Sequence, residues 1–191
     1  MSNTREKLLD VAFDEIYYHG YYATSVDKIL KTAQMNKGSM YYFFKSKKEL
    51  AIAVIKERVY AYIENKYSVL LKYNSHIIDE LLSLIKDRKN FDFVCGCKVN
   101  NLVQELSAKD KDFQQVLEVV YLRFEQIIEM VLQKAIVNNE IKHDNAKVLA
   151  MYVVASIEGC LITAKKSHDS DMFYDCISQL ELFLNTLKIT K

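Results

Sequence analysis

Proline is absent from the 191 residues of this chain, and glycine occurs only four times. Proline breaks helices because it lacks a backbone N–H and clashes with the preceding turn, and glycine costs about 1 kcal/mol inside a helix. A chain with so few of either can form one helix after another. Apolar residues also recur at helical spacing, as in Leu8, Leu9, Ala12, Phe13 and Ile16,. The sequence therefore predicts an all-α fold with about nine helices.

The composition is that of a soluble globular protein. Half of the residues are hydrophobic and 27% are charged, which argues against a disordered chain. No apolar run approaches the roughly 20 residues that span a bilayer, and the first ten residues are too polar for a secretory signal. We therefore expect a cytoplasmic protein with no membrane contact, whose cysteines are thiols rather than structural disulfides.

The four cysteines do not have the spacing of a metal site. They form one C-x-C pair and two distant single positions, whereas zinc sites use paired C-x-x-C motifs. The sequence predicts no metal and no cofactor. The cysteines are Cys95, Cys97, Cys160 and Cys176.

Positive charge is concentrated in one segment, although the formal net charge is only +1. Between Thr24 and Lys48 there are six lysines and one aspartate, Asp27, which gives a local charge of +5. A clustered basic patch is typical of a surface that binds phosphate. Charge alone does not distinguish such a surface from a solvated lysine-rich face.

The N-terminal segment has the start and stop signals of four successive helices. Thr4 is a candidate N-cap for the first helix, Thr24 or Ser25 for the second, and Asn36 for the third. Ser46 and Glu49 form a capping box that would start the fourth. Residues 34–36 separate the second and third helices, a spacing that predicts a helix-turn-helix motif.

The third helix has the chemistry needed to enter a major groove. Gly38 removes a side chain where backbone would approach DNA, and Ser39 supplies a small hydroxyl. Tyr41 and Tyr42 can bond backbone oxygens of DNA. We expect the neighbouring residues Met40, Phe43 and Phe44 to anchor the helix from behind.

The segment TSVDKILKTAQMNKGSMYYFFKSKKEL resembles the DNA-binding domain of the TetR family, and the match covers about residues 4–55. It departs from the family pattern chiefly at Gln34, where glycine is usual and helps the turn. The resemblance implies a helix-turn-helix domain at residues 1–48, with the motif at about 25–44, and a helical sensor and dimerisation domain at 49–191. It also implies DNA contacts from Thr24, Ser25, Lys37, Gly38, Ser39, Tyr41, Tyr42 and Lys47.

The same resemblance implies a homodimer that binds a palindromic operator in double-stranded DNA through two reading helices. Dimerisation in this family uses the last two helices. The sequence agrees, because the helix predicted from Asp144 to about Lys166 is apolar almost all round and a second amphipathic helix follows it. Small residues on one stripe would allow close approach of two copies, namely Ser156, Gly159, Cys160 and Thr163.

The C-terminal part would hold a small-molecule site whose filling releases a repressor from DNA. Gly96-Cys97 resembles a TetR subgroup whose sixth helix opens with Gly-Cys, and some members of that subgroup respond to electrophiles or oxidants. A cysteine at a helix N-terminus beside Lys98 would have a lowered pKa, and Lys165 or Lys166 could reach the thiol. A buried, inert Cys97 is the alternative. The other candidate wall residues are Phe93, Tyr121, Phe124, Tyr152 and Glu158.

Other functional classes receive little support. The four histidines are scattered, and neither an H-E-x-x-H pair nor a glycine-rich phosphate loop occurs,, so we expect no catalytic site and no enzyme. A regulator induced by reversible binding of an apolar or aromatic ligand, without thiol chemistry, remains open. So does a helical protein-interaction module without DNA binding, which would respond less to salt than a DNA-binding protein.

Overall fold

A computed structural model describes the backbone of residues 2–189 and the side chains from residue 4 onward. The described part contains nine helices, which confirms the predicted all-α fold. The fourth helix, α4, runs through three consecutive segments, the middle one a single π-helical turn. The helices are α1 (Ser2–His19), α2 (Val26–Ala33), α3 (Lys37–Phe43), α4 (Lys47–Val54, Ile55–Val59 and Tyr60–Tyr67), α5 (Ile77–Lys86), α6 (Asn100–Leu106), α7 (Lys111–Val137), α8 (Ala146–Lys165) and α9 (Ser170–Thr186).

The chain forms two compact units, whose boundary differs from the predicted division after residue 48. The first unit contains the residues up to Tyr62 together with Lys98–Tyr121, and the second contains Ile63–Cys97 and the residues from Leu122 onward. Two physical reasons explain the difference. Helix α4 continues without a break past residue 48. Side chains of the segment 98–121 also bind the N-terminal helices, as Glu105 does at the end of α1.

Capping side chains fix the helix starts around the turn motif. Ser25, Asn36 and Ser46 each accept a hydrogen bond from the backbone N–H three residues later, at 3.1, 2.9 and 3.1 Å. The carboxylate of Glu49 completes the last cap by accepting from the N–H of Lys45 at 2.8 Å. The predicted caps at Asn36 and Ser46 are confirmed, and Ser25 rather than Thr24 caps α2.

Two other predicted helix starts are wrong, by three residues at α1 and by one residue at α8. Helix α1 begins at Ser2, so Thr4 lies within it. Helix α5 begins at Ile77, after His76 in a left-handed conformation with φ of 54°. Asn145, not Asp144, caps α8, and its Oδ1 atom accepts from the N–H of Val148 at 3.0 Å.

The first unit has a core built by three helices. Helix α1 packs against both α2 and α4, and each helix contributes an apolar stripe of the kind that the spacing predicts. Burial of such side chains contributes roughly 1.5–3 kcal/mol each. The buried residues are Leu8, Leu9, Ala12 and Ile16 in α1, Ile29, Leu30 and Ala33 in α2, and Leu50, Ala51 and Val54 in α4.

In the second unit, α9 packs against both α8 and α5. Among the described residues, α8 is the one helix long and apolar enough to cross a membrane by length and composition, and half of it is buried within the structure. A core helix has the same properties. The outer face of α8 still has exposed apolar residues, namely Val148, Met151, Tyr152 and Ile162.

The expectation that all four cysteines are thiols is wrong for two of them. Cys160 and Cys176 form a disulfide between α8 and α9, with Cα atoms 5.4 Å apart, within the range that a disulfide can bridge. Their separation of 16 residues gave no sign of the pairing, because only the packing of α8 on α9 brings them together. Cys95 and Cys97 are half-buried thiols.

Candidate DNA-binding surface and sensor residues

Helix α3 exposes one face and buries the other. Tyr41 and Tyr42 are 52% and 71% exposed, which is unusual for such large side chains, whereas Met40 is fully buried and Phe44 is 3% exposed. The ring of Phe43 lies between these extremes and packs edge-on against Tyr42 with centroids 4.8 Å apart. The predicted anchoring role of Met40 and Phe44 is confirmed. The exposed residues Lys37, Gly38, Tyr41 and Tyr42 form what we call the α3 surface.

The turn between α2 and α3 forms without the glycine that the family pattern favours. Gln34 adopts a left-handed conformation, with φ of 57° and ψ of 46°. Its N–H donates to the carbonyl of Lys31 at 3.2 Å, and the N–H of Met35 donates to the carbonyl of Leu30 at 2.9 Å. This pair of bonds is a Schellman motif, which closes a helix C-terminus. The turn is therefore intact, with a glutamine in a position where glycine has the lower conformational cost.

The basic cluster is partly neutralised within the folded chain. Lys28 pairs with Glu15 at 2.9 Å, Lys37 with Asp27 at 2.9 Å, and Lys48 with two aspartates of the α6–α7 segment at 2.7 Å each. The bond to Asp27 raises the pKa of Lys37. Lys31 and Lys45 are exposed and make no ion pair within the described part of the chain.

Lys47 lies at the edge of this surface, half-buried against an aromatic ring. Its Nζ atom is 4.2 Å from the ring centroid of Tyr21, a cation–π contact. Burial lowers the pKa of Lys47, and the nearby carboxylate of Glu105 acts in the opposite direction. The Lys47 side chain, at the start of α4, is thus oriented by its contact with the ring of Tyr21.

Thr24 does not belong to the exposed set, which corrects the predicted DNA contact. The residue is fully buried, and its hydroxyl donates to the carbonyl of Gly20 at 2.7 Å and to that of Glu15 at 3.0 Å. A hydroxyl that already bonds two backbone carbonyls inside the protein cannot reach DNA. Its role is to hold the α1–α2 turn, next to the exposed N-cap residue Ser25.

The N-terminus of α3 contains a residue that the sequence predicted only as a cap. The Oδ1 atom of Asn36 accepts from both the N–H and the hydroxyl of Ser39, at 2.9 and 3.2 Å. The Ser39 side chain is therefore engaged locally, and the exposed amide of Asn36 lies beside Gly38. Capping preference was the one signal that pointed to Asn36.

Phe93 lies in an aromatic cluster of the second unit. Its ring centroid is 5.3 Å from that of Phe173 and 6.2 Å from that of Tyr174. Phe91 joins the cluster, 4.8 Å from Phe173, and the Lys66 ammonium lies 3.8 Å from the Phe91 ring centroid. The structure thus places Phe93 among rings and a cation, which sequence spacing did not reveal.

The remaining sensor candidates differ in burial and in the partners that their rings contact. Phe124 is fully buried and stacks on Tyr67 with centroids 4.2 Å apart, whereas Glu158 is 5% exposed within α8. Tyr152 is 50% exposed and packs edge-on against Phe183, so it lies on the outer face of α8 rather than in a core pocket. Tyr121 belongs to the first unit. Lys165, the last residue of α8, is half-buried.

Cys97 lies in a loop rather than in the first turn of a helix. Helix α6 begins at Asn100, three residues later, and Gly96 has a left-handed φ of 82°. The predicted position of Cys97 at the start of the helix is therefore wrong, whereas its role as a sensor stays a prediction. The ammonium of the neighbouring Lys98 lies 3.4 Å from the Tyr17 ring centroid. Among the described residues, no group of three or more potential metal ligands occurs.

Comparisons with known proteins agree with this organisation. Residues 8–54 match the model of bacterial regulatory proteins of the tetR family, and residues 75–179 match the C-terminal domain of LmrA/YxaF-like transcriptional regulators. An HTH-type transcriptional regulator from the lacX 3′ region of Lactococcus lactis is 32% identical over 173 residues, which cover 88% of this chain and 87% of the relative.

Two further relatives extend the comparison. The HTH-type regulator LmrA of Bacillus subtilis is 28% identical over 187 residues, covering 93% of this chain and 96% of LmrA. The crystal structure of reduced Escherichia coli NemR has the same fold, with a TM-score of 0.86, 20% identity and coverage of 99% and 98% of the two chains. The exposed α3 surface, the basic segment and these matches lead to one conclusion: the chain belongs to the TetR family of DNA-binding transcriptional regulators.

Proposed function

We propose that the chain is a homodimeric repressor that binds a palindromic operator through the α3 surface. The observation that supports this most directly is that α3 exposes Tyr41 and Tyr42, whereas Met40 and Phe44 are buried. Large aromatic side chains that are exposed together mark a surface that a binding partner covers. Tyrosine hydroxyls, Lys37 and the backbone at Gly38 offer donors for phosphates and base edges, as a reading helix requires.

Selection of DNA from a random pool by the purified protein tests this proposal. We expect enrichment of a palindrome whose half-sites are centred about 34 Å apart, one helical turn of DNA. The variants Lys37→Met and Tyr42→Ala should weaken binding of the selected site. Lys142→Met is a matched control, because Lys142 is an exposed lysine of the second unit. Failure to enrich any sequence, or equal weakening by Lys142→Met, contradicts the proposal.

We propose that the dimer forms through α8 and α9, because both helices have exposed apolar residues. Leu182 in α9 is 58% exposed, and Val148 in α8 is 56% exposed. Gly159 in α8 is exposed, and a Cβ atom there would meet no heavy atom within 4 Å. Apolar residues and a glycine on an open helix face allow two copies to pack closely.

The variant Gly159→Glu tests the interface without disturbing the protomer. Because the position opens onto free space, the fold tolerates the side chain, while a second copy would meet a buried, unpaired charge. Sedimentation should then show a folded monomer where the natural protein is a dimer. A dimer of unchanged stability would place the interface elsewhere.

Release from the operator by a small molecule or an electrophile completes the proposed function. The half-buried thiol of Cys97 is the candidate for reaction with an electrophile. N-ethylmaleimide should release the natural protein from its operator and leave Cys97→Ser bound, with Cys95→Ser as the control. Equal release of Cys97→Ser and the natural protein contradicts thiol sensing and favours a reversibly bound apolar or aromatic ligand.

A further inference from the structure

The turn that joins α1 to α2 is held by a carboxylate from α6. Oε2 of Glu105 accepts a hydrogen bond from the N–H of Tyr21 at 2.9 Å, and Oε1 accepts from the N–H of Tyr22 at 2.8 Å. Hydrogen bonds to an ionised acceptor are stronger than neutral ones. One side chain thus fixes two successive peptide groups that lie more than 80 residues away in sequence.

The backbone at this turn is shaped to receive that carboxylate. Gly20 has a left-handed φ of 82°, and a Cβ atom there would lie 3.2 and 3.3 Å from the two oxygens of Glu105. A side chain at position 20 would therefore meet both a conformational penalty and a close contact. The buried hydroxyl of Thr24 bonds the carbonyl of Gly20 from the other side, so the turn is held at both ends.

The ring of Tyr21 connects this turn to the start of α4. It packs edge-on against Phe113, with centroids 4.9 Å apart, and the ammonium of Lys47 lies 4.2 Å from its centroid. Burial lowers the pKa of Lys47, and the charge of Glu105 partly opposes that effect. The carboxylate of Glu105 therefore acts on Lys47 in two ways. It positions the ring of Tyr21, and its negative charge attracts the ammonium group.

We propose that Glu105 is a positioning residue for operator binding, which holds Tyr21 so that Lys47 is aimed at the DNA backbone. This inference rests on the proposed function and adds to it that Lys47 contacts a phosphate of the operator. Glu105 itself does not touch DNA. Helix α6, which lies outside the helix-turn-helix segment, thereby takes part in DNA binding.

Operator binding by Glu105→Ala and Glu105→Gln, measured over a range of salt concentrations, tests the proposal. We expect Glu105→Ala to bind about tenfold more weakly, because Tyr21 and Lys47 are then no longer held in place and must be ordered when DNA binds. The slope of log affinity against log salt should become less steep by about 0.9 for each phosphate that the variant no longer neutralises. Glu105→Gln keeps one acceptor oxygen and should lie between Glu105→Ala and the natural protein. Glu118→Gln is the matched control, because Glu118 is an exposed carboxylate on α7.

A double-mutant cycle with Lys47→Met separates positioning from a general loss of stability. If Glu105 acts through Lys47, Glu105→Gln will not change the salt slope further in the Lys47→Met background. Thermal unfolding identifies any variant that fails to fold, and Glu105→Gln decides the matter if Glu105→Ala does not fold. Affinity and slope equal to those of the natural protein overturn the positioning role, as does a weaker affinity with an unchanged slope. If the natural protein itself selects no operator, the proposed function fails instead.

Discussion

Replacing Gln34 with glycine should stabilise the protein, although the residue lies in the middle of its most characteristic motif. Gln34 has φ of 57° and ψ of 46° at the end of α2, a region that costs an L-residue with a side chain roughly 1–2 kcal/mol. Glycine enters this region without that cost. The backbone N–H of Gln34 makes the turn's hydrogen bond to Lys31, and glycine keeps that donor.

The expected gain is smaller than the conformational cost, because glycine also gives the unfolded chain more freedom. This extra freedom of the unfolded chain lowers the stability by roughly 0.5–1 kcal/mol. Gln34 is exposed, so the substitution removes little buried surface. The difference leaves a stabilisation of about 0.5–1 kcal/mol, or about 1–4 °C in Tm for a chain of this size.

Urea and thermal unfolding of Gln34→Gly measure this gain, with Gln34→Ala as the control. Alanine also removes the glutamine side chain but has no preference for the left-handed region, so it should not stabilise the protein. Operator affinity should stay within a factor of about 3, because the Schellman bonds that set the α2–α3 angle are made by the backbone. A loss of stability in Gln34→Gly, or an equal gain in Gln34→Ala, would refute the reasoning.

Three further substitutions or conditions test individual contacts. Thr24→Val should lower the free energy of unfolding by about 1 kcal/mol, since the buried hydroxyl no longer bonds the carbonyls of Glu15 and Gly20,; Thr24→Ser should lower it less in the same urea experiment. Thiol titration of the unfolded, non-reduced protein should find two reactive groups, rising to four after reduction. Four thiols before reduction would contradict the pairing. Loss of the Cys160–Cys176 bond should lower the free energy of unfolding by about 3 kcal/mol for a loop of this size. The guanidinium of Arg123 lowers the pKa of Glu64, so this pair stabilises the fold above the ordinary glutamate range and the contribution is lost as the pH falls through the lowered pKa. Glu64→Gln should therefore flatten the acid limb of a stability profile, and an unchanged limb would contradict this.

The sequence predicted the helices and the α3 surface because both depend on local patterns. Asn36 and Ser46 cap their helices through bonds that span three residues, and such bonds are visible as residue spacing. Glu105 and the Cys160–Cys176 pair were missed because their partners depend on tertiary packing. A carboxylate that binds a turn more than 80 residues away leaves no spacing signal in a single sequence.

The local charge of the sequence overstates how many lysines are free of ion pairs in the folded chain. Six lysines between Thr24 and Lys48 suggested a surface of charge +5, yet carboxylates from α1 and from the α6–α7 segment hold Lys28 and Lys48. Those acids lie outside the counted segment, so a local tally could not include them. A lysine bound to a carboxylate must break that pair before it gains from a phosphate, which reduces its contribution to affinity. Under the proposed function, DNA recognition therefore depends less on the number of lysines than on the few side chains that no carboxylate engages. Tyr41, Tyr42 and Lys47 meet this condition, whereas Lys37 is paired with Asp27. If Glu105 positions Lys47 as proposed, an acidic residue of α6 contributes to DNA binding.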